Sequence, residues 1–177
     1  VNNAEQMRLT STGLGIGTSS PANKLDVVGT AAFTYINSSG QGTSGVYLAG
    51  NSGSSSVTQF GGELRFNTGG TANTPATGVT ERMRLDSAGN LGLGVTPSAW
   101  NSIYKVLQVG TSSISSSTTY NNATFGSNVF YNAGNSPRYI VSDYANLYGM
   151  DDGIHAWYNA ASGTAGNAIT FTQAMSL

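Results

Sequence analysis

The chain's one histidine, His155, lies in the stretch Asp151-Asp152-Gly153-Ile154-His155-Ala156-Trp157-Tyr158. An imidazole beside carboxylates is the raw material of general acid–base catalysis, and Asp143, Asp151 or Asp152 could partner it. Asp-Asp-Gly is equally the composition of a hairpin turn, which makes His155 one residue of the strand that follows. Glycoside hydrolysis needs two carboxyl groups about 5–10 Å apart. Of the eight acidic residues, Glu5, Glu81, Asp26 and Asp86 belong to a repeat described below and Asp151 and Asp152 to the turn. Glu63 and Asp143 remain. No catalytic residue is assigned on this basis.

Metal and cofactor chemistry find less. One histidine and no cysteine leave no zinc-type ligand spacing, and Asp151-Asp152 alone is too few oxygens for calcium. The run Gly13-Leu-Gly-Ile-Gly-Thr-Ser-Ser-Pro21 lacks the Gly-Lys-Ser/Thr ending of a phosphate loop. No cofactor and no metal are expected. Asn37-Ser38-Ser39 and Asn122-Ala123-Thr124 fit the glycosylation sequon.

Aromatic residues offer recognition chemistry instead. Nine of the 17 fall between Tyr120 and Tyr158. Tyr139, Tyr144, Tyr148, Trp157 and Tyr158 are candidates for glycan contact, because rings stack on sugar C–H faces while nearby Asn and Asp bond hydroxyls. The competing role is to fill a thin β core, where each ring buries roughly 150–250 Å². Trp157 and Tyr158 are adjacent, so on a strand they face opposite sides.

The elements that must position these groups are strands and turns. The 177 residues include 24 glycines, 23 serines, 20 threonines and 17 asparagines, and only 8% are charged. Disordered chains combine high charge with few aromatics; this one has the reverse. Strand candidates are Ala32 to Ile36, Gly45 to Ala49, Val57 to Phe60, Leu64 to Thr68, Ala123 to Tyr131, Arg138 to Ser142, Ala145 to Tyr148, Ile154 to Tyr158 and Ala168 to Thr172. Asn51 to Ser56, Thr68 to Gly78 and Asn132 to Pro137 read as loops or turns. Ser98 to Tyr104 fits a single turn of helix, and no longer amphipathic helix is present. The net charge of −1 argues against nucleic acid, which favours a basic surface. No apolar run approaches the roughly 18 residues of a membrane helix, so no membrane insertion is expected.

A phrase recurs. Met7-Arg8-Leu9 matches Met83-Arg84-Leu85, and Gly13-Leu-Gly-Ile-Gly17 matches Asn90-Leu-Gly-Leu-Gly94. A proline follows each, then Lys24-Leu-Asp-Val-Val-Gly29 and Lys105-Val-Leu-Gln-Val-Gly110. Met175-Ser176-Leu177 reads as the start of a third copy, so the chain reads as a slice of something longer. This divides it into residues 1–29, connector one; 30–80, β insert one; 81–110, connector two; 111–172, an aromatic-rich β insert two; and 173–177, the third start. Asp86 to Asn90 is a turn, and the first copy, lacking Gly-Asn before Leu14, should turn more tightly.

In Leu91-Gly-Leu-Gly-Val95 a strand would carry Leu91, Leu93 and Val95 on one face and only glycine on the other. Glycine weakens a strand unless another backbone must come close, and a chain with few large apolar groups buries a thin core. Copies of the chain packed around a shared axis answer both problems. The expectation is an all-β, intertwined homotrimer with Leu14, Ile16, Leu91, Leu93 and Val95 at the axis. The alternative is a monomeric sandwich with glycine bulges.

The stretches Glu81 to Trp100 with Tyr104 to Gly110, Met7 to Ala31, and Trp157 to Leu177 resemble the modular repeats of bacteriophage tail fibres and tailspikes. In that family such units often lead towards an endosialidase-type intramolecular chaperone that directs trimerisation; no chaperone sequence is present here. The resemblance implies a trimeric, virion-attached, extracellular fibre segment. It also implies other virion tail or fibre proteins, and a host cell-surface glycan or protein, as partners. Two alternatives stay open: a tailspike polysaccharide depolymerase with its site at subunit seams, and a cellular trimeric surface adhesin.

Overall fold

The computed structural model describes residues 6–28, 43–50, 53–71 and 78–177. The strand candidate Ala32 to Ile36 and most of the loop after Gly70 lie outside these residues. Two compact units are present, divided between Asn37 and Ser38. The chain is all-β, and no helix occurs among the described residues.

The first unit contains β1 (Met7–Leu9), β2 (Leu14–Ile16) and β3 (Leu25–Val27). β1 and β2 form an antiparallel hairpin, and β3 returns parallel to β2. The hairpin turn is closed by Thr10, whose amide bonds the Gly13 carbonyl at 2.9 Å and whose hydroxyl accepts from the amides of Thr12 and Gly13.

The second unit contains β4 (Thr43–Gly50), β5 (Gly53–Phe60), β6 (Glu63–Gly70), β7 (Thr80–Leu85), β8 (Leu91–Leu93), β9 (Tyr104–Val109), β10 (Ser112–Ser117), β11 (Asn122–Ser127), β12 (Val129–Tyr131), β13 (Pro137–Tyr139), β14 (Asp143–Asp151), β15 (Ile154–Gly163) and β16 (Thr172–Ser176). Eleven of these make one sheet in the order β16-β15-β14-β11-β10-β9-β8-β7-β6-β5-β4, while β12 and β13 pair separately. Every pairing in the large sheet is antiparallel except β8 with β9. Connector two is therefore β7, β8 and β9, with the same hairpin-then-parallel topology as β1 to β3. It is continuous with both inserts rather than a spacer between them.

Several local expectations are corrected. Gly53 to Ser56 is strand, not loop: Ser54, Ser56 and Thr58 alternate inward, and the Asn67 amide donates to Ser56 Oγ at 3.1 Å and Thr58 Oγ1 at 3.2 Å. Small polar side chains stand here in place of the apolar ones that mark most strands; Ser56 and Thr58 share the Asn67 amide, and the buried Ser54 hydroxyl has no partner among the described residues. β10, Ser-Ser-Ile-Ser-Ser-Ser, has the same character and was not among the expected strands; its buried Ser115 bonds Thr124 at 2.6 Å. The stretch expected as one strand from Ala123 to Tyr131 breaks at Asn128, which adopts φ 60°. The buried Asn128 amide donates to the carbonyls of Val141 and Tyr144 and accepts from the Val141 amide, fixing the corner. Ala168 to Phe171 is not a strand: Ala168 makes one isolated bridge to Arg138, and Ile169 turns into the core.

Ser98 to Tyr104 is an extended segment ending in a turn, not a turn of helix. Gln108, fully buried on β9, organises it. Its Oε1 accepts from the Ser98 amide at 2.9 Å and the Trp100 indole at 3.0 Å, and its Nε2 donates to the Gly110 carbonyl at 2.9 Å. A buried amide with its groups satisfied fixes the segment on this extended path. Trp100 then packs edge-on to Tyr104 and Phe130.

One face of the large sheet is covered from β9 to β15. Trp100, Tyr104 and Val106 form one cluster; Val129, Tyr139, Ala145, Leu147, Ala160 and Ile169 form another. The opposite face carries no second layer among the described residues.

Candidate functional site

That open face is built by register. Across adjacent strands, Val46, Val57, Phe66, Met83, Leu93 and Val109 are successive cross-strand partners. One step along, Leu64, Leu85, Leu91, Leu107, Ile114 and Phe125 form a parallel row. Phe125 continues it to Tyr148, Trp157 and Met175. Period-two alternation on eleven paired strands thus lays apolar groups in a band across one side. Leu93 is 46% exposed, Val109 47%, Ile114 46% and Phe125 47%. A contiguous apolar band of this extent is more than single soluble chains usually expose to water.

In the separate first unit the same pattern recurs. Leu9, Leu14 and Leu25 are register partners, as are Met7, Ile16 and Val27, with Leu9 81% exposed. Of the expected axis residues, Leu14 with Ile16, and Leu91 with Leu93, therefore lie on one face of their own connector. Val95 does not continue that face. Gly94 has φ +67°, ends β8, and turns the chain before Val95.

The glycines have a different cause from the one the alternation suggests. A Cβ on Gly92 would stand 2.2 Å from the Val95 carbonyl oxygen and 2.8 Å from Pro97 Cδ. A Cβ on Gly15 would stand 2.4 Å from the Thr18 carbonyl oxygen. The backbone that comes close is the chain's own, folded back after Gly94 or Gly17. The turn preceding β8 is one residue longer than its counterpart in the first unit, and the Asp86 carboxylate accepts from the amides of Ala88 and Asn90 there.

The five aromatic candidates separate. Tyr139 is buried beneath the sheet, donates its hydroxyl to the Ala161 carbonyl at 2.6 Å and packs on Gly163, so it is core and not available to a glycan. Tyr144 is 65% exposed. Tyr148 and Trp157 stack on the open face with centroids 4.9 Å apart, flanked by Phe125 at 6.1 Å from Tyr148. Tyr158 points to the covered face against Phe171. The adjacent pair Trp157 and Tyr158 does face opposite sides.

The acid–base candidates are otherwise engaged. His155 Nδ1 bonds the Tyr148 hydroxyl. Asp152 and Gly153, both with positive φ, form the hairpin turn between β14 and β15. Glu63 is paired with Arg65 and Arg84 in a half-buried four-residue network with Glu81. The Arg84 guanidinium bonds both Glu81 oxygens and holds that carboxyl below its usual range. Glu63 and Asp143 lie on strands six places apart in the sheet, roughly 25–30 Å at the usual strand spacing. Within one chain they cannot act as the paired carboxylates of a glycosidase. No group of three or more potential metal ligands exists among the described residues.

No family model matches the chain, and no curated protein matches it significantly.

Proposed function

We propose that the chain is a segment of a homotrimeric fibre of the bacteriophage tail-fibre class. In that reading it is extracellular on the virion, joined to other tail or fibre proteins, and contributes spacing and attachment to the host-cell surface. The observation that carries this reading is the open apolar band across the eleven-stranded sheet. A single chain leaves it to water, whereas copies packed face to face around an axis remove it. The repeated connector supports the same reading, since both copies present apolar residues from one side of the same three-strand motif.

Packing of this kind takes Tyr148 and Trp157 into the shared core. Attachment then falls to the outward surfaces. Fluorescently labelled protein incubated with a panel of bacterial strains should decorate a subset of them without releasing reducing ends from their polysaccharide. Release of reducing ends would make the protein a depolymerase, and failure to bind any strain would reduce it to a spacer.

A further inference from the structure

The covered face holds a recess of about 390 Å³ between the strands β11, β14 and β15 and the chain that crosses them. Its depth has a sequence cause. Gly149 and Ala156 are cross-strand partners and carry a single methyl group between them, so the sheet is low there. Three rings border the space: Tyr131, Tyr158 and Phe171. Its polar lining residues are Asp151, Asp152, Asn122 and Thr124, the last already bonded to Ser115.

Several of these groups have unused hydrogen-bonding capacity. The hydroxyls of Tyr131 and Tyr158 and the carboxylate of Asp151 take part in no hydrogen bond among the described residues, whereas Tyr139 and Tyr104 each bond another residue through their hydroxyls. Burial pushes the Tyr131 hydroxyl up to about 12, so it remains a donor throughout the physiological range. The size falls within the roughly 300–1,000 Å³ of small-ligand clefts.

We infer that this recess is a saccharide-binding site for a neutral or N-acetylated pyranose. Aromatic faces suit the C–H face of a sugar ring, and the free hydroxyls and carboxylates suit its hydroxyl groups. No lysine or arginine lines the space, and the two aspartates repel uronic and sialic acids. The inference rests on the attachment half of the proposed function for its ligand class. It stands apart from the trimer contact, because the recess lies on the sheet face opposite the apolar band.

The test is an array of neutral, N-acetylated and acidic saccharides, followed by titration of the intact chain with galactose, N-acetylglucosamine and glucuronic acid. The expected result is binding to neutral or N-acetylated sugars. Gly149→Leu, which fills the floor, should abolish it, and Tyr158→Ala should weaken it about tenfold. Val141→Ala, at an exposed residue away from the recess, should leave it unchanged. A Cβ at Gly149 meets only Tyr158 Cε2 at 4.0 Å, so Gly149→Ala provides a milder variant should the leucine fail to fold. Absence of binding across the neutral and N-acetylated sugars, preference for the acidic ones, or binding that survives filling of the floor would overturn the inference. Sedimentation of the same samples reads assembly separately, so absence of sugar binding by an intact wild-type trimer counts against the recess alone.

Discussion

Leu93→Asp should abolish assembly while leaving the single chain folded. In one chain Leu93 is nearly half exposed on β8, and a carboxylate there can reach water. In a trimer closed over the apolar band, the substitution places three carboxylates close together in an apolar setting without cations. Removing an unpaired charge from water in this way costs about 3–5 kcal/mol per site, more than a marginal interface withstands. Sedimentation should find the variant at a single-chain mass with its β circular dichroism retained. A stable trimer of normal mass would place Leu93 away from the subunit contacts.

Gly92→Ala should act differently, on the chain itself. The added methyl would meet the Val95 carbonyl oxygen at 2.2 Å and the Pro97 ring at 2.8 Å, so the return after β8 must shift. Overpacking of this kind costs roughly 1–3 kcal/mol, which for a chain of this size lowers the melting temperature by about 2–10 °C. Gly94→Ala is the useful contrast: its Cβ meets nothing within 4 Å, and only its φ of +67° is strained. If Gly92→Ala melted normally as a monomer and failed only to associate, the close-approaching backbone would be a neighbour's.

These two residues show where the sequence was legible. Leucine and isoleucine alternating with glycine identified the apolar face of each connector, and the register places Leu91 and Leu93 on it. The same alternation suggested a continuous strand through Val95 and a glycine face open to neighbouring chains. What it could not show was the positive φ at Gly94, which folds the chain back onto Gly92. Turn chemistry at Asp86 to Asn90 and Asp151 to Gly153 was readable because Asp, Asn and Gly have local reasons to be there.

Serine is the residue whose structural role the sequence conceals most. Ser112 to Ser117 and Gly53 to Ser56 pair as strands through the backbone ladder, with Ser56 bonded to Asn67 and Ser115 to Thr124 while the buried Ser54 and Ser113 hydroxyls find no partner among the described residues, and no hydrophobic period announces that. Gln108 is concealed for the same reason: its role comes from Ser98 and Trp100, ten and eight residues away, whose donors it gathers. The recess was invisible as a unit. Tyr158 is legible as an aromatic, but Gly149 and Ala156 matter only as cross-strand partners.

The central claim is that copies of this chain cover the open apolar face. Sedimentation equilibrium of the wild-type protein measures it most directly. The account predicts a single species at about three times the 18.2 kDa chain mass, persisting on dilution. A folded species at 18.2 kDa, with the apolar band left in water, would contradict it.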